Sequence, residues 1–183
     1  LRDHDRPAAL DNTPDGQRDG EFSDRSTLEL LCGEIDEREV GRERLATALN
    51  PYRDGILAVV AGHGGTVDKI VGDAVHAFFG APEPQSDHAA RAVACALAVD
   101  AFAEAHRAAS REAGIPLGET RIGIATGQAI VGNFGGTSRF DYTVYGDVIN
   151  TAARLESANR QFGTRVCATA QALAAAGVEG WRP

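Results

Sequence analysis

The chain has 183 residues, of which 43% are hydrophobic and 24% are charged, a profile typical of one globular domain with its own core. The formal net charge is -8 and no long basic run is present, so we exclude nucleic acid as a partner. The 3 cysteines are too few and too scattered for a disulfide framework or a zinc site, which favours a reducing, cytoplasmic location. No apolar run is long enough to span a membrane, so we expect no membrane contact from this segment.

The chain begins with a polar segment that shows no periodicity. It is rich in Asp, Arg, Gly and Pro, which predicts a linker or disordered arm over residues 1–21 and a domain over residues 22–183. A helix is predicted from Asp36 to Gly62, because apolar residues recur along one face. Pro51 lies inside that pattern and is expected to kink the helix or divide it.

The next segment, TVDKIVGDAVHAFFG (66–80), predicts a β-hairpin whose two-residue loop is Gly-Asp. Side chains alternate along a strand, so Lys69 is expected to share a face with Val67. That face is otherwise apolar, and a lysine on it must be paired with another group or used in function. Asp73 at the hairpin tip is either a turn residue or a ligand.

Three further segments have clear patterns. An alanine-rich helix is predicted over about residues 86–112. The segment RIGIATGQAIVGNFGG (121–136) predicts a second hairpin that turns at Thr126-Gly127. The last part of the chain predicts a helix, a short strand and another helix, over residues 147–161, 164–168 and 169–176. This order of elements predicts an α+β fold in which helices pack on one face of an antiparallel-rich sheet.

The first of the late helices carries two polar residues of interest. Asn150 and Arg154 stand four residues apart in GDVINTAARLE (146–156), so a helix places them on one face. Each has an ordinary alternative when taken alone, since Arg154 is explained as a solvated side chain and Asn150 as a mild defect of the helix. Their interest therefore depends on the stretches around them.

Two long segments, HGGTVDKIVGDAVHAFFGAPEPQSDHAARAV (63–93) and RIGIATGQAIVGNFGGTSRFDYTVYGDVINTAARLE (121–156), closely resemble the catalytic domain of bacterial class III nucleotidyl cyclases. The resemblance covers roughly residues 36–170 in the same order and spacing. It implies the ferredoxin-like, palm-type form of the α+β fold. It also implies an adenylate cyclase, which converts ATP to 3′,5′-cyclic AMP and pyrophosphate with two Mg²⁺ or Mn²⁺ ions per site, in a head-to-tail homodimer with shared sites.

The resemblance assigns a role to each polar residue. Lys69 contacts the adenine ring and Thr143 is its partner, whereas enzymes that choose GTP generally replace the lysine with glutamate. Asn150 orients the ribose, and Arg154 stabilises the charged transition state. Asp73 binds the metal ions. In the implied dimer one subunit supplies Lys69 and Asp73, and the other supplies Thr143, Asn150 and Arg154.

The sequence departs from the family at the second metal-binding aspartate, which belongs at the end of the first strand. EFSDRST (21–27) offers Asp24, and Glu29 is the alternative when residues are counted back without gaps from Asp73. The residues before Asp24 lack the β-branched and aromatic content of a central strand. At its other end the chain stops at GVEGWRP, so we expect the domain to lack its C-terminal strands.

Two classes of function therefore compete. The first is an adenylate cyclase. The alternative is a catalytically degenerate cyclase-like domain that dimerises or binds nucleotide as a regulatory module. The second metal-binding carboxylate separates them, because a site with a single carboxylate is expected to lose turnover.

Overall fold

The computed structural model describes residues 21–32, 42–136 and 139–179. The predicted arm thus lies almost wholly outside the described residues, as does the predicted helix start at Asp36. The described residues form six strands and four helices: β1 (Glu21–Cys32), α1 (Arg42–Gly62), β2 (Thr66–Val71), β3 (Ala74–Phe79), α2 (His88–Glu112), β4 (Thr120–Gly136), β5 (Arg139–Tyr145), α3 (Asp147–Phe162), β6 (Val166–Ala168) and α4 (Ala170–Ala175).

The sheet is mostly antiparallel and has the strand order β2-β3-β1-β4-β5, with β6 paired parallel to β4. The predicted α+β class is confirmed. β1 is a central strand, bonded to β3 along one edge and to β4 along the other. Its polar first half does not favour a strand, and pairing along β4 through that half outweighs the weak local preference.

Helices cover both faces of the sheet, so the prediction of a single covered face is wrong. Ile122 and Ile124 of β4 belong to a core that contains residues of α1, α2 and α4. Gly123 between them points the other way, and a Cβ on it would lie 2.0 Å from the carbonyl oxygen of Ala152 in α3. α3 therefore packs on the opposite face, around a second and smaller core.

β4 is one long strand, so the hairpin predicted within residues 121–136 is wrong. The Thr126-Gly127 pair does not turn because β1 is paired with β4 without a break over residues 120–131. The other edge of β4 pairs with β6 near its start and with β5 near its end. β5, rather than the second half of β4, is the strand that returns antiparallel along it.

α1 continues through Pro51, so the proline does not divide the helix. The neighbouring residues are fixed in the core: Tyr52 is buried, and its hydroxyl oxygen lies 2.6 Å from Thr120 Oγ1 of β4. Ile56 and Val60 follow on the same buried face. This packing offsets the helical hydrogen bond that proline cannot make.

The remaining predicted elements are confirmed with small shifts of their ends. β2 and β3 form the first hairpin, and Gly72 in its two-residue turn has a φ of 63° that glycine adopts readily. α2, α3, β6 and α4 lie where their sequence patterns place them. Thr169 caps α4, since its hydroxyl accepts a hydrogen bond from the Ala172 amide.

We expect Gly123→Ala to destabilise the domain, because the added methyl group would overlap the Ala152 carbonyl oxygen and push α3 away from β4. The loss should be about 1–3 kcal/mol of unfolding free energy, measured by urea denaturation. Gly127→Ala is the matched control on the same face of β4, because its Cβ would lie 3.6 Å from Val148, an ordinary contact. Equal stability of the two variants would contradict the packing of α3 on this face.

Candidate functional site

A β-bulge in β2 decides which way Lys69 points. The pairing of β2 with β3 skips one residue between Val67 and Lys69, so Asp68 is the extra residue of the bulge. Val67 stands opposite Ala77 and packs with it in the core under α1 and α2. Lys69 stands opposite His76, whose side chain alternates to the other face of the sheet. The expectation that Lys69 and Val67 share an apolar face is therefore wrong.

Asp68 and Lys69 form an ion pair at the bulge. Lys69 Nζ lies 3.2 Å from Asp68 Oδ2, and the Asp68 side chain is 3% exposed whereas that of Lys69 is 49% exposed. Neighbouring side chains in a regular strand point to opposite faces, so the bulge is what brings these two together. Sequence reasoning missed Asp68. The sequence signal for it was the adjacent pair Asp68-Lys69. A regular strand points neighbouring side chains to opposite faces, so these two charges can pair only where the strand is irregular.

Lys69 and Thr143 line one cavity of a single chain, with a volume of about 590 Å³. That volume is within the usual range for sites that bind small molecules. β2 and β5 stand at opposite ends of the strand order, but the sheet curves until the rings of Phe78 in β3 and Tyr142 in β5 have centroids 6.1 Å apart. The other residues of the wall are Asp68, Phe134, Gly135, Asp141 and Tyr145.

This geometry differs from the division of residues between subunits that the resemblance implied. Lys69 was assigned to one subunit and Thr143 to the other, yet both belong to the wall of the same intrachain cavity. The physical reason is the curvature of the sheet, which brings its two outer strands β2 and β5 together. A ligand that fills this cavity can reach both residues of a single chain.

Thr143 contributes a buried hydroxyl to the cavity wall. The residue is 7% exposed, and Oγ1 has no hydrogen-bond partner in the described part of the chain. A buried hydroxyl without a partner costs free energy, which a ligand that hydrogen-bonds to it would recover. Phe134 and Tyr145 meet edge to face with ring centroids 4.6 Å apart, and so provide an aromatic wall for a flat ligand.

The charges of the cavity suit a nucleobase better than a triphosphate. Asp68 and Asp141 share the wall with Lys69, so carboxylates outnumber ammonium groups among the residues that line it. Two carboxylates would repel the phosphates of a nucleotide. A base carries hydrogen-bond donors and acceptors with little net charge, and so avoids this repulsion.

Asn150 and Arg154 lie on an exposed face of α3. With the described residues, neither side chain forms a hydrogen bond or an ion pair, so both are available to a ligand. They are not part of the wall that contains Lys69 and Thr143. The chain connects the cavity wall to α3 by a short segment, because a single glycine separates Tyr145 of the wall from the first turn of α3.

Asp73 lies half-buried in the turn between β2 and β3. Arg53 of α1 donates a hydrogen bond from Nη2 to the carbonyl oxygen of Gly72, the first residue of that turn. This contact ties the turn to α1 and limits the positions that the Asp73 carboxylate can take.

Asp24 is not brought to this turn. It stands opposite Gln128 of β4, whereas the β1 residue opposite Ala74, the first residue after the turn, is Leu31. At the usual rise per residue these two positions of β1 are about 23 Å apart along the strand. Glu29, the alternative, stands opposite His76 and is therefore closer to the turn.

A two-metal site built from Asp24 and Asp73 therefore does not fit this structure. Among the residues that the structure describes, no three His, Cys, Asp or Glu side chains come together as a metal-binding group. Among the residues that the structure describes, Asp73 is the carboxylate that lies in the turn itself. Glu34 and Asp36, which follow β1 in the sequence, lie outside the described ranges.

Comparison with known proteins identifies the family. Residues 38–179 match the family described as adenylate and guanylate cyclase catalytic domain. The chain belongs to this class III cyclase family. The cyclase domain is 42% identical over 132 residues to adenylate cyclase 1 of Rhizobium meliloti (strain 1021), a match that covers 72% of this chain and 20% of that protein. It is 34% identical over 122 residues to adenylate cyclase of Anabaena cylindrica, covering 66% and 24% respectively.

Solved structures agree with the family. The adenylyl cyclase CyaB from P. aeruginosa superposes with a TM-score of 0.77 at 31% identity, covering 86% of this chain and 82% of that one. The guanylyl cyclase Cya2 superposes with a TM-score of 0.74 at 31% identity, covering 91% and 88%. Since both kinds of cyclase match almost equally well, the fold of the cyclase domain does not by itself choose the base.

The matched region is a small part of the first curated relatives. The cyclase domain spans about a fifth of the length of the R. meliloti protein, whose match covers 20% of it. In the described ranges of the chain, no helix has both the length and the hydropathy needed to cross a bilayer.

We expect Asp24→Asn to leave Mn²⁺ binding by the cyclase domain unchanged, because the register of β1 holds Asp24 about 23 Å along the strand from the position beside the turn. Asp73→Asn should weaken Mn²⁺ binding by about tenfold or more. Isothermal titration calorimetry of both variants measures this difference. A loss of equal size in the two variants would show that the two carboxylates share a metal site and that this register is wrong.

Proposed function

We propose that this cyclase domain is an adenylate cyclase, which converts ATP to 3′,5′-cyclic AMP and pyrophosphate. The proposal is supported above all by one observation: Lys69 and the unpartnered Thr143 hydroxyl line the same cavity. The relatives named adenylate cyclase in R. meliloti and A. cylindrica agree with this choice.

Lys69 favours adenine over guanine through the polarity of its hydrogen bond. An ammonium group only donates, and the ring nitrogen N1 of adenine only accepts. Guanine carries a proton on N1, so the same contact would place two donors against each other. The Thr143 hydroxyl can accept from the exocyclic amine of adenine, which would satisfy its buried oxygen.

The reaction forms one phosphorus–oxygen bond and breaks another. The ribose 3′-oxygen attacks the α-phosphorus, the 3′-hydroxyl loses its proton to solvent, and the bond from the α-phosphorus to the bridging oxygen breaks as pyrophosphate leaves. We assign Asn150 to orienting the ribose. We assign Arg154 to the charge that develops on the phosphoryl oxygens, because a guanidinium can make two charge-assisted hydrogen bonds to them.

We propose Mg²⁺ or Mn²⁺ as the cofactors, and Asp73 as a residue that binds them. Carboxylate oxygens are the hard ligands that these ions prefer. Asp73 is available for this role because it lies only half-buried at a hairpin tip. The free, buried cysteines Cys95 and Cys167 suit a reducing compartment, so we place the activity in the cytoplasm, where ATP is also present.

We propose a homodimer with shared sites, in which the residues are divided between the subunits differently from the division that the resemblance implied. Lys69 and Thr143 line one cavity and Asp73 is not part of its wall, which supports Asp73 acting from the other subunit. Asn150 and Arg154 then act with Thr143, as the resemblance implies. The large apolar side chains exposed on and beside these outer strands support a covered surface; they are Ile70, Val71, Ile130, Tyr142 and Tyr145.

Incubation of the purified domain with ATP or GTP and Mn²⁺ tests the activity, with the product identified by mass spectrometry. We expect cyclic AMP from ATP and far less cyclic GMP from GTP. Arg154→Ala should lower the rate about a hundredfold, because it removes a contact to the charged phosphoryl group. Arg160→Ala is the control on the same helix and should keep the wild-type rate. Equal use of ATP and GTP would contradict the role of Lys69.

A second candidate function is a cyclase-like module that binds nucleotide or dimerises without turnover. The register of β1 favours it, because Asp24 does not reach Asp73 and one carboxylate alone holds two ions poorly. Binding of ATP without any cyclic product would support this candidate. A cyclic product that disappears in Asp73→Ala would exclude it.

Mixing two inactive variants tests the revised dimer. Lys69→Glu and Asp73→Ala chains should each be inactive alone, and their mixture should recover about one quarter of wild-type activity. Half of the randomly formed dimers are then mixed, and each has one of its two sites intact. No recovery from two folded variants would contradict the revised arrangement. Recovery only when Lys69→Glu is mixed with Arg154→Ala would support the division that the resemblance implied, with Lys69 and Arg154 supplied by different subunits.

A further inference from the structure

We infer that Asp68 is a positioning residue for nucleotide recognition, which fixes the Lys69 ammonium group at the base-binding cavity. The inference rests on the proposed function, because it concerns the same cavity. Asp68 itself lies in the wall of that cavity. It acts through Lys69, so it belongs to specificity and binding rather than to the chemical step.

The burial of Asp68 supports this role. The Asp68 side chain is 3% exposed, and its ion-pair partner among the described residues is Lys69, at 3.2 Å. A carboxylate is rarely buried unless a charged partner compensates for its lost hydration. Lys69 is 49% exposed and would otherwise move freely in solvent, so the pair restrains the lysine more than the aspartate.

The backbone of β2 supports the same role. A regular β2 would point Asp68 and Lys69 to opposite faces of the sheet. The bulge between Val67 and Lys69 places the carboxylate beside the ammonium instead, on the cavity wall. Bulges are known to redirect side chains next to active sites, and here the redirected residue is the one that holds the lysine.

The hydrogen-bonding capacity of the lysine also supports this role. The Lys69 ammonium has three donor hydrogens, and the contact with Asp68 uses only part of this capacity. The remaining donors can reach an acceptor on a base in the cavity. The ion pair thus orients the lysine before the nucleotide arrives, which lowers the entropy lost on binding.

We expect Asp68→Asn to weaken nucleotide binding about 10- to 100-fold, the usual range for loss of a charge-assisted contact. The probe is 3′-deoxy-ATP with Mg²⁺, measured by isothermal titration calorimetry, because a nucleotide without a 3′-hydroxyl binds but cannot cyclise. With ATP, KM should rise by a similar factor while kcat changes little. Asp68→Glu, which keeps the charge, should recover part of the affinity.

A double-mutant cycle separates positioning from a general structural role. In a Lys69→Gln background, Asp68→Asn should have no further effect on the Kd of 3′-deoxy-ATP, because the ammonium group that Asp68 positions is already removed. Asp54→Asn, a neutralised carboxylate on the exposed face of α1, is the matched control and should bind like wild type.

Two results would overturn the inference. One is a wild-type Kd for Asp68→Asn. The other is an equal loss in the wild-type and Lys69→Gln backgrounds, which would mean that Asp68 affects binding without acting through Lys69. These results are independent of turnover. A domain that makes no cyclic AMP but shows the expected binding cycle would refute the proposed activity and keep the role of Asp68.

Discussion

The bulge at Asp68 is the constraint on which the proposed base-binding cavity depends. One extra residue in β2 moves Lys69 from the face under α1 and α2 to the face that looks toward β5. The same residue provides the carboxylate that pairs with the lysine at 3.2 Å. Without the bulge, the alternation of the strand would direct the ammonium group into the apolar core, where it would lack both water and a ligand.

The rest of the fold brings a partner to that lysine. β4 is long enough to pair with β1 along its first part and with β5 along its last part. β5 therefore lies mostly past the point where the pairing of β4 with β1 ends. The sheet then curves until Thr143 and Lys69 line one cavity. Gly123 lets α3 approach the same face closely, and α3 holds Asn150 and Arg154. The placement of these site residues thus follows from the length of β4, the curvature of the sheet and the lack of a side chain at Gly123.

The sequence predicted much of the fold and suggested candidate site residues, but it did not predict how the structure groups them. Local patterns located the β2–β3 hairpin and the helices, because turn residues and apolar periodicity are local signals. The pair Thr126-Gly127 led to the wrong prediction of a turn, because pairing with the neighbouring strand β1 outweighs the local turn preference of these residues. The face of Lys69 and the separation of Asp24 from Asp73 depend on register, which is set by pairing between distant segments.

The most direct test of the account is a crystal structure of the domain with 3′-deoxy-ATP and Mg²⁺. We expect the adenine ring to occupy the cavity of a single chain, between Lys69 and Thr143. Lys69 Nζ should then lie at hydrogen-bond distance, about 3 Å, from a ring nitrogen while it keeps its contact with Asp68. An adenine bound elsewhere, or a Lys69 that points into the core beside Val67, would contradict it.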